Sequence, residues 1–197
     1  MKSFNLFLTV ALVLALTCLH AQEIEGGPVH SSKLDKENGF KKLVIGKTLK
    51  EVKSILMKTP LEPSQSRDPE TYNAEYNTAL YLVDLKKGYD KFLGVPVDRI
   101  EVLFAPNMWS EKENAPDAIS EVVIYFKKAA ENEKNCSLKM FEEYGGAYPV
   151  VDSPEPGDES VLWVGENTLM AFSNYYGGEE SPKRDFFVVR FSSSKGG

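Results

Sequence analysis

One stretch, Ile45 to Leu56 (IGKTLKEVKSIL), constrains this chain more than any other because it spells out a helix start. Thr48 stands where an N-cap hydroxyl belongs, and Glu51 stands three residues on, where its carboxylate can reach back to the cap amide. Leu49, Val52, Ile55 and Leu56 then form one apolar stripe, with Lys50 and Lys53 off it on the solvated face. The pattern predicts a helix over 49–58, stopped at Thr59-Pro60 because the residue before proline disfavours the helical region. Proline and serine from Pro60 to Pro69 make the following segment a loop.

The elements beyond it are written mostly in period two. Thr78 to Leu85 is apolar on both faces, the pattern expected of a buried central strand. Val97 to Phe104, Ile119 to Lys127 and Asp185 to Phe191 alternate, as strands with one wet face do. Val161–Val164, the turn Gly165-Glu166-Asn167 and Thr168–Tyr176 read as a hairpin. Phe40–Ile45 and Phe92–Val95 are shorter extended candidates. A second helix is expected over Ala129–Tyr144, with Cys136, Met140 and Tyr144 on one stripe, Leu138 and Phe141 broadening it, and Gly145-Gly146 as its stop. Trp163 reads as core. The fold class is therefore α+β with antiparallel strands. Two arrangements satisfy the order: two α-β-β-β units in tandem (40–128 and 129–192), or one antiparallel sheet with two helices on one face.

Ahead of the domain lies an address. Lys2, the apolar run Phe4–Leu16 and the small residue Ala21 have the layout of a secretory signal peptide over 1–21, cleaved after Ala21. Cys18 offers lipid anchoring as the less favoured alternative, since Thr17 is large for the position before a lipidated cysteine. Residues 22–39 are polar and are expected to be a flexible tether, and 193–197 a disordered tail. The destination is periplasmic or extracellular. The chain has 29 acidic against 23 basic residues, a net charge of −6, and this balance argues against nucleic acid or an anionic membrane surface as partner. No second apolar run reaches spanning length.

Catalytic and metal chemistry find few residues of the right type. The two histidines are His20, in the signal segment, and His30, in the expected tether. Without histidine in the folded part, the usual general base and zinc ligand are missing, so no catalytic residue, metal or cofactor is assigned. Cys136 is the only cysteine after cleavage and is expected to be a buried small hydrophobe. The acids of the 152–159 loop (Asp152, Glu155, Asp158, Glu159) read as solvated, with calcium binding the lesser alternative. Aromatics in polar surroundings remain: Trp109, Tyr175 and Tyr176 are the candidate partner-binding residues, with Trp109 as a lid on the sheet the bland alternative.

Gly46-Lys47-Thr48, Glu51-Val52 and Ile55-Leu56, with a proline just beyond, resemble the helix-opening motif of small bacterial outer-membrane assembly lipoproteins of the SmpA/OmlA type. The doubled helix-and-strand order resembles the β-lactamase inhibitor protein fold. Leu138-x-x-Phe141-x-x-Tyr144-Gly145, followed by Trp163-x-Gly165, is similar to exported bacterial proteins of unassigned function. The resemblance implies a periplasmic or extracellular partner-binding module. With the signal peptide, the tether and the missing catalytic residue types, the expectation is a non-enzymatic exported module that binds a protein partner through an open sheet face or edge and the loop around Trp109. A carbohydrate or small-ligand binder and a carboxylate-only hydrolase are the alternatives.

Overall fold

The computed structural model describes residues 30–66, 79–106, 117–149, 160–174 and 186–194. Three helices are described: α1 (Ser32–Glu37), α2 (Leu49–Val52, continued as a 3₁₀ turn Lys53–Ile55) and α3 (Ala130–Tyr144). The strands are β1 (Gly39–Phe40), β2 (Leu43–Val44), β3 (Ala79–Leu82), β4 (Lys91–Phe92), β5 (Val95–Pro96), β6 (Arg99–Ala105), β7 (Ala118–Lys127), β8 (Tyr148–Pro149), β9 (Ser160–Val164), β10 (Thr168–Ser173) and β11 (Phe186–Ser193). Seven of them form one antiparallel sheet in the order β3-β6-β7-β11-β10-β9-β8, while β1-β2 and β4-β5 are separate two-stranded hairpins. The α+β class with antiparallel strands holds.

All three helices bury residues in the same core, against one face of this sheet. Leu34 of α1, Val52 of α2 and Cys136, Met140 and Tyr144 of α3 join Ile100, Val102, Phe104, Val122, Ile124, Phe126, Phe187, Val189 and Phe191. Alternation delivers these side chains, and at one place it is interrupted to good effect. The register shifts between Leu103 and Phe104, so Ile119 faces Phe104 and Glu121 faces Leu103, leaving Ser120 as the bulged residue. The bulge lets Ile119 and Val122, three apart, both point into the core, where each is fully buried.

Aromatic rings fill the centre of that layer. Phe126 stacks on Phe187 with centroids 4.6 Å apart, and Phe92 meets Phe40, Phe126 and Phe191 edge-on. The small hairpins carry Phe40 and Phe92 there. Gly39 makes the first one possible: a Cβ on it would lie 2.1 Å from the Leu43 carbonyl oxygen, and its φ of +150° is unfavourable for other residues.

Four expectations change. The stretch that opens the fold forms only one α-turn and a 3₁₀ turn, not a helix to Lys58. Its later backbone groups are taken by the sheet edge: Asp84 N donates to Ile55 O (2.9 Å), Met57 N donates to Leu82 O (2.7 Å), and Leu56 bridges Val83. The segment predicted as a central strand is the edge strand β3. Its double-sided apolarity arises because Leu80 is buried on the outer face while Tyr81 packs toward the core.

The tether is the third change, for its described part. Residues 32–37 are a helix capped by Ser31 at one end and by left-handed Asn38 at the other, with Leu34 fully buried. His30, placed in that tether, bridges Val164 in parallel, so one histidine belongs to the described fold. Last, β11 runs to Ser193, one residue into the expected tail, because Ser193 pairs with Thr168.

Candidate functional site

Trp109, Tyr175 and Tyr176, the aromatics singled out from the sequence, lie outside the described residues, as do Cys18 and the acidic 152–159 loop. Among the described residues, the sheet itself offers the most extended surface. Its edge strands among them are β3 and the two-residue β8. On one side β3 is covered by the bridges Leu56–Val83 and Leu61–Leu80. On the other side β8 occupies Val161 and Leu162 of β9, and His30 occupies Val164. The strand β8 ends in proline, which cannot donate to a further neighbour. The outer face is buried at its middle, with Val123, Tyr125 and Val188 each no more than 3% exposed and Phe186 packed against them, while Leu162, Val164, Leu169 and Ala171 of β9 and β10 are half-buried. Pairing along β3 and packing at the middle of the outer face take up part of the sheet surface that docking on an open face or edge would use.

What the described residues do expose is one side of α3. Leu138 and Phe141 are 51% and 41% exposed, whereas Cys136, Met140 and Tyr144 are buried. The buried stripe is narrower than expected, since only Cys136, Met140 and Tyr144 of the helix are fully enclosed against the core. A groove of about 280 Å³ runs beside Leu138, lined by Ala130, Glu133, Lys134, Ser137 and Phe172. Phe141 leans on the Trp163 indole at 5.2 Å, so this exposed ring is held on a rigid support.

The anchorage of α3 explains why that side is presented firmly. Its first turn carries Glu131 and Glu133, favourable toward the positive end of the helix, in place of a capping side chain at Ala129. At the other end Gly145 N closes onto Phe141 O (3.0 Å), and the Trp163 indole N–H donates to Gly145 O (3.0 Å). The Tyr144 hydroxyl donates to the Glu37 carboxylate at 2.8 Å, and Lys33 of α1 pairs with Glu143. Burial, then this contact with a carboxylate, pushes the Tyr144 phenol well above its usual range, so it stays a neutral donor.

Reactive chemistry is sparse in what is described. Burial pushes the Cys136 thiol up to about 12, with its sulfur 3.9 Å from that of Met140, as expected of a packing residue. Glu101 is a buried carboxylate on the outer sheet face, 2.7 Å from Arg99 Nε and accepting from the Ser66 hydroxyl at 2.6 Å. Arg99 donates in turn to Gln65 O (2.7 Å), so the ion pair fastens the 3₁₀ turn Pro63–Gln65 to the sheet. The sequence offered no signal for this arrangement beyond two charges spaced i, i+2 on one strand. No group of three or more His, Cys, Asp or Glu side chains suited to a metal occurs among the described residues. No described helix is long and apolar enough to cross a membrane. Comparison of the chain with protein families, with curated proteins and with solved structures found no match.

Proposed function

We propose that this chain is an exported, non-enzymatic protein-binding module of the cell envelope or extracellular space, and that it docks its partner on the outer side of α3. The observation that carries the reading is the pair Leu138 and Phe141, which stand exposed at i, i+3 on the helix. Large apolar side chains on a rigid element lose little conformational freedom on binding, which makes them effective anchors. The groove beside Leu138 gives a partner side chain somewhere to go.

The tandem reading belongs to the same proposal. Within each half the first long strand is outermost and the last is central, β3-β6-β7 against β9-β10-β11, and β7 meets β11 antiparallel. A helix precedes each set, α2 and α3 respectively. This order supports the likeness to the β-lactamase inhibitor protein fold, with β8 an addition to the second unit. Crosslinking pull-down from the envelope fraction tests the function. Leu138→Ala/Phe141→Ala should lose the partners that wild type retains while still unfolding cooperatively, with a modest loss of stability from the Phe141–Trp163 contact. Identical captures from both would refute α3 as the docking surface. Trp109→Ala and Tyr175→Ala, tested in parallel, ask whether those aromatics extend it.

A further inference from the structure

A second surface arises where three separate segments meet at one end of the sheet. Lys87 Nζ donates to Ser54 O, Lys41 Nζ donates to Gly88 O, and the Lys42 amide donates to the Tyr89 hydroxyl at 3.3 Å. Lys41 also lies over the Phe40 and Tyr89 rings, 5.1 and 5.3 Å from their centroids. These contacts bring the β1–β2 turn, the end of α2 and the turn after β3 together. Lys41, Lys42, Lys53, Lys58, Lys86 and Lys87 are exposed there. Segments 41–58 and 84–91 hold nine lysines, no arginine, and only Glu51, Asp84 and Asp90 as acids. They are thus strongly basic within a chain whose net charge is −6. Met57, 51% exposed, sits in sequence between Lys53 and Lys58.

We infer that this lysine-rich end binds the anionic headgroups of a lipid bilayer, with Met57 entering the interface. Net charge argued against such a partner, but a field at a surface follows the local distribution of charge rather than its sum. The lysine-only composition favours a diffuse anionic layer, since ammonium groups act as point charges and lack the bidentate fork that reads individual carboxylates or phosphates. Several lysines with one apolar side chain meet the need for two weak signals in reversible membrane attachment. This surface is distinct from the α3 side, and either proposal can fail without the other.

The chain from Gln22 keeps every described residue and omits the apolar Phe4–Leu16 run, so it is the form to test. Co-sedimentation with phosphatidylcholine vesicles containing about one third phosphatidylglycerol should show binding that weakens with salt, and pure phosphatidylcholine should show none. Lys53→Gln/Lys86→Gln, whose exposed side chains make no hydrogen bond or ion pair among the described residues, should weaken binding roughly thirtyfold. Lys53→Arg/Lys86→Arg, which keeps the charge, should stay within about threefold, and Lys36→Gln on α1 within about twofold. Met57→Ser should weaken binding several-fold without altering its salt dependence. Near-ultraviolet circular dichroism confirms that each variant is folded. Absence of binding to anionic vesicles, equal binding by the Gln double variant, or binding confined to soluble polyglutamate would each overturn the inference.

Discussion

The helices α2 and α3 rest on the same face of one sheet, yet they are held there by opposite means. In α2 the local signal is strong: the Glu51 carboxylate accepts from both the Thr48 amide and the Thr48 hydroxyl at 2.7 Å. The α-helix nevertheless lasts only four residues before the chain tightens and joins the edge of β3. In α3 the N-cap is an alanine without a side-chain hydrogen bond, and the helix runs fifteen residues. A cap decides where a helix begins and contributes on the order of 1 kcal/mol. Its length is decided by what the following residues can bury and by which other groups compete for the backbone.

The largest effect expected from this contrast is on the buried stripe of α3. Raising the Cys136 thiol to about 12 from 9.0 should make the native chain react with a thiol reagent roughly a thousandfold more slowly than the unfolded one at neutral pH. Rapid native labelling of the chain from Gln22, which lacks Cys18, would show that α3 is not seated as described. Next comes packing. Trp163→Ala removes the indole under Phe141 and the donor to Gly145 O, and should destabilise by about 3–5 kcal/mol in urea unfolding. Val52→Ala, on the short helix, should cost about 2 kcal/mol. If Val52→Ala proved the more damaging, the capped turn and not α3 would be the principal clamp on the sheet.

Capping effects are smaller and of opposite sign in the two helices. Thr48→Ala should cost about 1 kcal/mol, while Ala129→Asp, at a position already extended, should gain up to about 1 kcal/mol. Equal losses from both would mean that Ala129 is set by packing that the cap disturbs. The smallest effect is a pH dependence. The hydrogen bond from the Thr48 amide, then that from its hydroxyl, holds the Glu51 carboxyl below its ordinary 4.5. A carboxyl depressed on folding stabilises above its unfolded pKa, and that contribution is lost as pH falls through the folded value. Glu51→Gln should therefore be slightly less stable at neutral pH and converge with wild type in acid. A constant gap down to pH about 2 would rule out the carboxylate as the source.

Much of the fold was legible in period and punctuation. The alternation in β6, β7 and β11 gave both the strands and the side that faces the core, and Gly145 ended α3 where a left-handed residue was expected. The position of β3 was not legible, because an edge strand that packs apolar residues on both faces has the same sequence pattern as a central one. Helix α1 was missed for a related reason. A six-residue polar segment cannot hold a helix by itself, and α1 is fixed from outside: Leu34 enters the core, Asp35 accepts the Glu166 amide, and the Ser31 amide donates to Val164 O (2.9 Å). Leu138 and Phe141 are the corresponding miss at the candidate site. Their spacing flanked the core stripe, and which neighbouring positions the sheet encloses is settled by packing that the spacing does not record.

By itself the sequence determined the local elements: where α2 starts, which strands alternate, where α3 stops, and that Cys136, Met140 and Tyr144 share one side. These depend on spacing and on hydrogen bonds within a few residues. Only the tertiary structure decided how long α2 is, which strand lies at the edge, that the β3 edge is bridged, and that lysines from distant segments converge. Those outcomes depend on which backbone donors and apolar surfaces arrive at the same place. That competition is settled between parts of the chain far apart in sequence, where no local pattern records the result.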